Sequence, residues 1–194
     1  MRIETETIKR IVVKVGTSTL THPTGFINIR KIERLAKCLA DLQNSGKQII
    51  LVSSGAVSCG LAKIGFSRGA LTTEQKQAAS AVGQCDLIDI YARRFAYLGH
   101  TIAQVLITKD VIDNPARCAS AKSTFRVLLD MNVIPIVNEN DTISSEQINI
   151  GSNDTLSAIV ALLTEADLLI NMSDIDGLYT ANPREDPDAR FIEY

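Results

Sequence analysis

Five short apolar runs punctuate the chain: Ile11–Val15 ("IVVKV"), Gln48–Val52 ("QIILV"), Thr101–Ile107 ("TIAQVLI"), Val133–Val137 ("VIPIV") and Asp167–Met172 ("DLLINM"). They are continuous rather than alternating and rich in β-branched residues, the pattern of strands buried on both faces. Between them lie longer stretches with helical periodicity. In "NIRKIERLAKCLADLQNSG", Asn28 stands at the N-cap position, Ile32, Leu35, Ala36, Leu39 and Leu42 share one face, and Gly46 follows the C-terminus. The stretch from Thr73 to Leu98 is long and contains Gly83, where a bend or a split is expected. Asn114-Pro115 supplies a cap and a first-turn proline for a helix through about Met131, and Asn153-Asp154 caps and opens "TLSAIVALLTEA".

Strand and helix in alternation predict an α/β fold: a three-layer, doubly wound, mainly parallel sheet with helices on both faces. The polar stretch Thr142–Ile150 breaks the rhythm and predicts a small β-hairpin insertion. No repeat, low-complexity tract or linker divides residues 1–194, so one domain is expected.

Ligands of such sheets bind outside the carboxyl ends of the strands. After the first strand come Gly16, Thr17 and Ser18, with Lys14 near the strand end; after the second comes "SSGAVSCG". The fourth is followed by "NENDT", which contains Asp141, and the fifth by "SDIDGLYT", which contains Ser173 and Asp174. The first two loops, small and rich in hydroxyls, can bring backbone N–H groups close to an anion. Taken singly, each group has a plainer explanation: Lys14 snorkelling at a sheet edge, Ser53-Ser54-Gly55 as a strand-to-helix turn, Asp141 as a turn residue, Asn153-Asp154 as a cap. Against the first, a lysine within a strand buried on both faces needs a counter-charge. Together, groups that attract anions and groups that carry negative charge meet on one sheet edge, which suits an amino acid beside a nucleotide phosphate.

"GAVSCGLA" has the glycine spacing of a phosphate loop, but Leu61-Ala62 stands where Lys-Ser/Thr is required, and no GxGxxG occurs. His22 and His100 have no partner pattern and read as surface or strand-start residues.

Composition narrows the class. The 194 residues are 45% hydrophobic and 22% charged, with net charge −2, as expected of one globular domain. Lys and Arg are scattered and aromatics are only 5%, which argues against nucleic-acid binding. Cys38, Cys59, Cys85 and Cys118 form no CxxC or Cys/His cluster and read as reduced, small apolar residues. With no leader-like start and no apolar run long enough to span a bilayer, a cytoplasmic location without membrane contact is expected.

"VVKVGTSTL", "SSGAV", "SAVGQ", "VIPIVNENDT", "GSNDTLSA" and "SDIDGLYTANP" follow one another between Val12 and Pro183. In these six motifs and their order the chain resembles the amino acid kinase superfamily, and within it the branch that acts on free glutamate. The resemblance implies transfer of the ATP γ-phosphoryl group to the γ-carboxylate of L-glutamate, the first step of proline biosynthesis. It implies that Lys14 contacts the phosphates and the transferring group and that Asp154 orients this catalytic lysine. Ser54, Gly55 and Ala56 would hold the acceptor carboxylate, and Asp141 and Asn153 the amino acid end. Gly16, Thr17, Ser18, Ser173 and Asp174 would face ATP, which carries its own Mg²⁺, so that no protein metal site is expected. A homo-oligomer, dimer or tetramer, with proline as feedback inhibitor, is implied likewise. A carboxylate acceptor is already ionised at neutral pH, so no general base is needed, consistent with the absence of a histidine pattern.

The same resemblance implies a further Gly-rich nucleotide-binding segment with a second lysine, which is not among residues 1–194; a truncated kinase domain is therefore expected. Three alternatives stay open: a sister kinase acting on N-acetylglutamate, aspartate, carbamate or a nucleoside monophosphate, a non-catalytic form that binds glutamate or proline, and the kinase end of a bifunctional protein.

Overall fold

The computed structural model describes residues 6–65, 71–144, 150, 152–173, 175, 177 and 179–193. Each apolar run is a strand: β1 (Arg10–Val15), β2 (Gln48–Ser53), β3 (Ile102–Ile107), β4 (Ile134–Glu139) and β5 (Leu168–Met172). They form one sheet of order β3-β4-β2-β1-β5 in which every neighbouring pair is parallel. The connections contain α1 (Thr17–Leu20), α2 (Ile29–Asn44), α3 (Ala56–Ile64), α4 (Thr73–Tyr97), α5 (Asp110–Asp113), α6 (Pro115–Asp130) and α7 (Asn153–Thr164).

Side chains alternate across a strand, so the pleat sorts the apolar residues of one run between two cores. On one face Ile11, Val13 and Val15 of β1 join Ile49, Leu51, Ile134 and Ile136 against Ile32, Ala36 and Leu39 of α2 and Leu87, Tyr91 and Phe95 of α4. On the other, Val12, Ile50, Val52 and Val137 meet Phe125 and Leu129 of α6 and Leu156, Val160 and Leu163 of α7. Fully burying each such side chain is worth roughly 1.5–3 kcal/mol, which fixes the three-layer order. The same parity turns Lys14 toward the α7 face.

Burial on both faces holds for β1, β2 and β4 but not for the edges. In β3 Leu106 is exposed, and in β5 Leu169, Ile170 and Met172 are exposed; continuous apolar runs did not distinguish edge from centre. Among the described residues no helix is long and apolar enough to cross a membrane.

Local chemistry explains the helix ends. The Asn28 side chain accepts from Lys31 N–H, and Gly46 after the helix takes φ +88°, a value glycine adopts without a Cβ penalty. Asn114 accepts from the N–H groups of Ala116 and Arg117, with Pro115 in the first turn. Three expectations are corrected. The cap of α7 is Ser152, whose hydroxyl accepts from Thr155 N–H, so Asn153 is the first helical residue and its side chain is free to reach across the sheet. Residues 73–97 form one continuous helix. Gly83 does not break it; it is a contact point, because an added Cβ there would stand 1.9 Å from Ala56 O and 2.4 Å from Gly60 N of α3. Finally, only Cys59 is buried among the cysteines: Cys38 and Cys85 are exposed and Cys118 lies between, all four as free thiols. The hairpin expected in the polar stretch falls mostly on residues 145–149, outside the described residues.

Candidate active site

Strand order places the C-terminal ends of β1, β2 and β4 side by side. Their loops enclose a cleft of about 230 Å³ lined by Thr17, Ser54, Gly55, Ala56, Asn138, Glu139, Asp141 and Asn153. That is smaller than the roughly 300–1,000 Å³ typical of drug-sized ligands and suits a small metabolite.

On the β2 side, Gly55 has φ +105°, and an added Cβ would meet nothing within 4 Å. Conformation, not space, therefore requires glycine at this position. The turn aims the start of α3 at the cleft, and no side chain caps that helix. The first N–H groups of a helix have no acceptor within it, so this end favours an anion.

On the β1 side, Lys14 is 6% exposed, and its Nζ lies 3.0 Å from Asp154 Oδ1 at the start of α7. Asn171, the register partner of Lys14 in β5, donates to the same carboxylate oxygen. Burial pushes the Asp154 carboxyl up, but the Asn171 and Lys14 hydrogen bonds and the lysine charge together outweigh it and hold the group below the ordinary aspartate value. Gly16 adjoins this pair: a Cβ there would lie 3.8 Å from Lys14 Nζ and 3.9 Å from Ser18 Oγ. Gly16 also precedes α1, a short turn in a stretch read from the sequence as loop.

Across the cleft, Asn153 Nδ2 contacts three acceptors: Ser53 O at 3.1 Å, Ser54 Oγ at 2.7 Å and Asn138 Oδ1 at 3.2 Å. Buried Glu139 accepts from Ser144 Oγ at 2.7 Å and from Ile150 N–H at 2.9 Å, tying together the two ends of the polar stretch. Asp141 Oδ2 accepts from Ser80 Oγ at 2.6 Å. Burial raises the Asp141 carboxyl; the Ser80 bond opposes that rise, and the charge of Glu139 adds to it.

One turn of α4 supports much of this floor. Ser80, Gly83 and Gln84 fall on one face by their i, i+3, i+4 spacing. Ser80 holds Asp141, Gly83 lets α4 approach Ala56, and Gln84 Oε1 accepts from Asn138 Nδ2 at 3.0 Å. Two turns further on, the Tyr91 hydroxyl meets Ser53 Oγ at 2.9 Å, and complete burial pushes the phenol well up. The motif "SAVGQ" is thus the buttress of the cleft.

The structure brings together Thr17, Ser54, Gly55, Ala56, Asp141 and Asn153 around the cleft, with the Lys14–Asp154 pair and Gly16 and Ser18 on the β1 side. Ser173 follows β5 and is exposed, and Asp174 lies outside the described residues. Sequence reasoning passed over Asn138, Glu139, Ser80, Gln84 and Asn171. A polar Asn inside the apolar run "DLLINM" was the available signal for Asn171, because an amide in a strand calls for a partner.

At the C-terminal ends of the parallel strands the cleft thus combines a helix start that favours anions, a lysine held by a carboxylate beside it, and the Asp141 carboxylate in its lining. A model described as the amino acid kinase family matches residues 9–194, and the chain belongs to that family. The glutamate 5-kinase of Clostridium tetani is 50% identical over 187 residues, covering 96% of this chain and 70% of the relative. Those of Clostridium perfringens, at 47% over 197 residues, and Enterococcus faecalis, at 49% over 193, are covered over 73% and 71% of their own lengths.

Proposed function

We propose that the chain transfers the γ-phosphoryl group of ATP to the γ-carboxylate of L-glutamate, forming L-glutamyl 5-phosphate for proline biosynthesis. One observation carries the reading: the cleft has an uncapped helix start at Gly55-Ala56 on one side and the Asp141 carboxylate on the other. A substrate with a carboxylate at one end and an ammonium at the other satisfies both.

The γ-carboxylate rests against Ser54 and the Gly55-Ala56 backbone and is ionised at neutral pH, so no proton need be removed. The reaction needs two anions aligned and charge neutralised on the transferring oxygens. Lys14, held in place by Asp154, which Asn171 fixes in turn, supplies a fixed cation there, and Mg²⁺ arriving with the nucleotide supplies more. Gly16, Thr17, Ser18 and Ser173 face the nucleotide side. In the same reading the protein is a cytoplasmic homo-oligomer, and proline competes for the glutamate cleft.

Glutamate-dependent ADP release, compared across L-glutamate, N-acetyl-L-glutamate, L-aspartate and carbamate, tests this reading. Turnover with glutamate at least about tenfold above the others is expected. Preference for N-acetylglutamate, whose nitrogen carries no charge, would contradict the role given to Asp141.

A further inference from the structure

A second cleft of about 230 Å³ lies at the other end of the sheet from the candidate active site, where β1 begins. Arg10, Lys122 and Arg126 line it above an apolar floor of Leu129 and Leu163, and Glu165 is the one carboxylate among its described lining residues. None of the three cations forms an ion pair among the described residues, whereas Arg117, on the same helix α6, meets Asp110.

Arg10 is fixed by two neutral acceptors. Its Nε donates to Gln48 Oε1 at 3.0 Å, and its Nη1 donates to Thr164 C=O in the last turn of α7. The Asp167 carboxylate accepts from the backbone N–H groups of Lys9 and Arg10, at 2.8 Å each, and lies outside the lining of the cleft. Capping the end of α7 accounts for Arg10 but not for its companions. Lys122 and Arg126 stand four residues apart on α6, a spacing at which like charges repel, and both line the cleft that holds Arg10. Three positive charges less the one negative charge of Glu165 leave an excess of two in the cleft, on a chain whose net charge is −2. Low-dielectric walls focus the field of such a group, so an anion in the cleft offsets a repulsion that is otherwise uncompensated.

We propose that this distal cleft binds a phosphate dianion, either free or as the ester of a small metabolite. A phosphate group carries about −1.5 to −2 at neutral pH and matches the local excess of charge; a carboxylate matches half of it. The Arg10 guanidinium, held in its plane by Gln48 and Thr164, keeps its Nη2 donors without a partner among the described residues. Such a planar fork pairs with phosphate oxygens two at a time. Lys122 and Arg126, both exposed, supply the remaining positive charge. The site is independent of the proposed reaction, because Arg10 and Lys14 stand toward opposite ends of β1.

The test is an NMR titration of the whole chain with inorganic phosphate, glycerol 3-phosphate and acetate, read at the backbone amides of Leu163, Thr164 and Glu165 so that binding elsewhere does not enter. Salt is held at about 0.15 M to screen diffuse attraction. Saturable shifts are expected with the phosphates, and at least about tenfold weaker binding with acetate. Tighter binding of the ester than of free phosphate assigns the site to a metabolite, and the reverse order to the free ion. In the double variant Lys122→Gln, Arg126→Gln the phosphate Kd should rise at least about tenfold, with glutamate affinity within about threefold of wild type. Arg126→Gln alone, expected to weaken phosphate at least about threefold, serves if the double variant does not fold. No saturable shift at these amides, acetate bound as tightly as phosphate, or an unchanged phosphate Kd in the variants would overturn the site.

Discussion

Lys14 and Asp154 lie on elements 140 residues apart in sequence, yet their charged atoms meet at 3.0 Å. Strand parity turns Lys14 toward α7, and Ser152 caps that helix so that Asp154 falls in its first turn. The lysine side chain is 8% exposed and that of the aspartate 53%, so the cation depends on the pair more than the anion does.

Replacing Lys14 by Met should therefore lower kcat by about 10²–10³-fold, the usual effect of deleting one charge-stabilising group, with glutamate affinity changed less than about threefold, since Lys14 lies beside and not within the cleft proposed for glutamate. Steady-state kinetics with both substrates varied would check it.

Asp154→Ala leaves Lys14 without its counter-ion. Breaking a fully buried pair costs about 3–5 kcal/mol; with the aspartate half exposed, solvent reduces this to about 1–2 kcal/mol. The sign with pH follows from the depressed Asp154 value. Its contribution is complete above the ordinary aspartate pKa and is lost as pH falls through the lower folded one. Urea titrations at neutral and strongly acidic pH should show the gap between wild type and variant closing toward acid.

Asp141 has the opposite sign. Its folded pKa is raised by burial, so its contribution is favourable below the unfolded value and becomes a cost as pH rises through the folded one. Asp141→Asn should raise the Tm of the unliganded protein at neutral pH while weakening glutamate binding about tenfold or more, as expected for losing a charged hydrogen-bond partner. In the wild type, glutamate affinity should fall as pH drops at values above those of an ordinary aspartate. This acid limb should vanish in the variant.

Gly83→Ala tests the buttress. The new methyl would meet Ala56 O at 1.9 Å, a backbone atom that cannot swing away. Overpacking of this kind costs about 1–3 kcal/mol. Because Ala56 lines the cleft, the variant should lose glutamate affinity as well as Tm. Ala81→Ser, at an exposed position of the same helix, should alter neither by more than about 0.5 kcal/mol. Thermal melts paired with glutamate titrations would check both.

Much of this was legible in the residues. The five runs became the five strands within a residue or two, because β-branched apolar stretches of that length have few other ways to be buried. Lys14 and the Gly55 turn could be read as site residues because a cation in a buried strand and a glycine after one are both costly without a purpose. Less legible was whatever depends on which strands are neighbours. Leu106 and Ile170 are as apolar as Ile50 but lie on edge strands. Gly83 reads as a helix breaker until α3 is seen against it. Ser152 and Asn153 are both good caps, and only the pull of Ser53 O and Ser54 Oγ on the Asn153 amide shows which of them is used.

In the proposed reaction one cleft recognises glutamate through Asp141 while Lys14, beside it, serves the transfer. Isothermal calorimetry of L-glutamate with wild type, Asp141→Asn and Lys14→Met tests it without requiring turnover. Binding to wild type, a loss of about tenfold or more in Asp141→Asn, and near-wild-type binding in Lys14→Met are expected. Equal affinity in wild type and Asp141→Asn would contradict it.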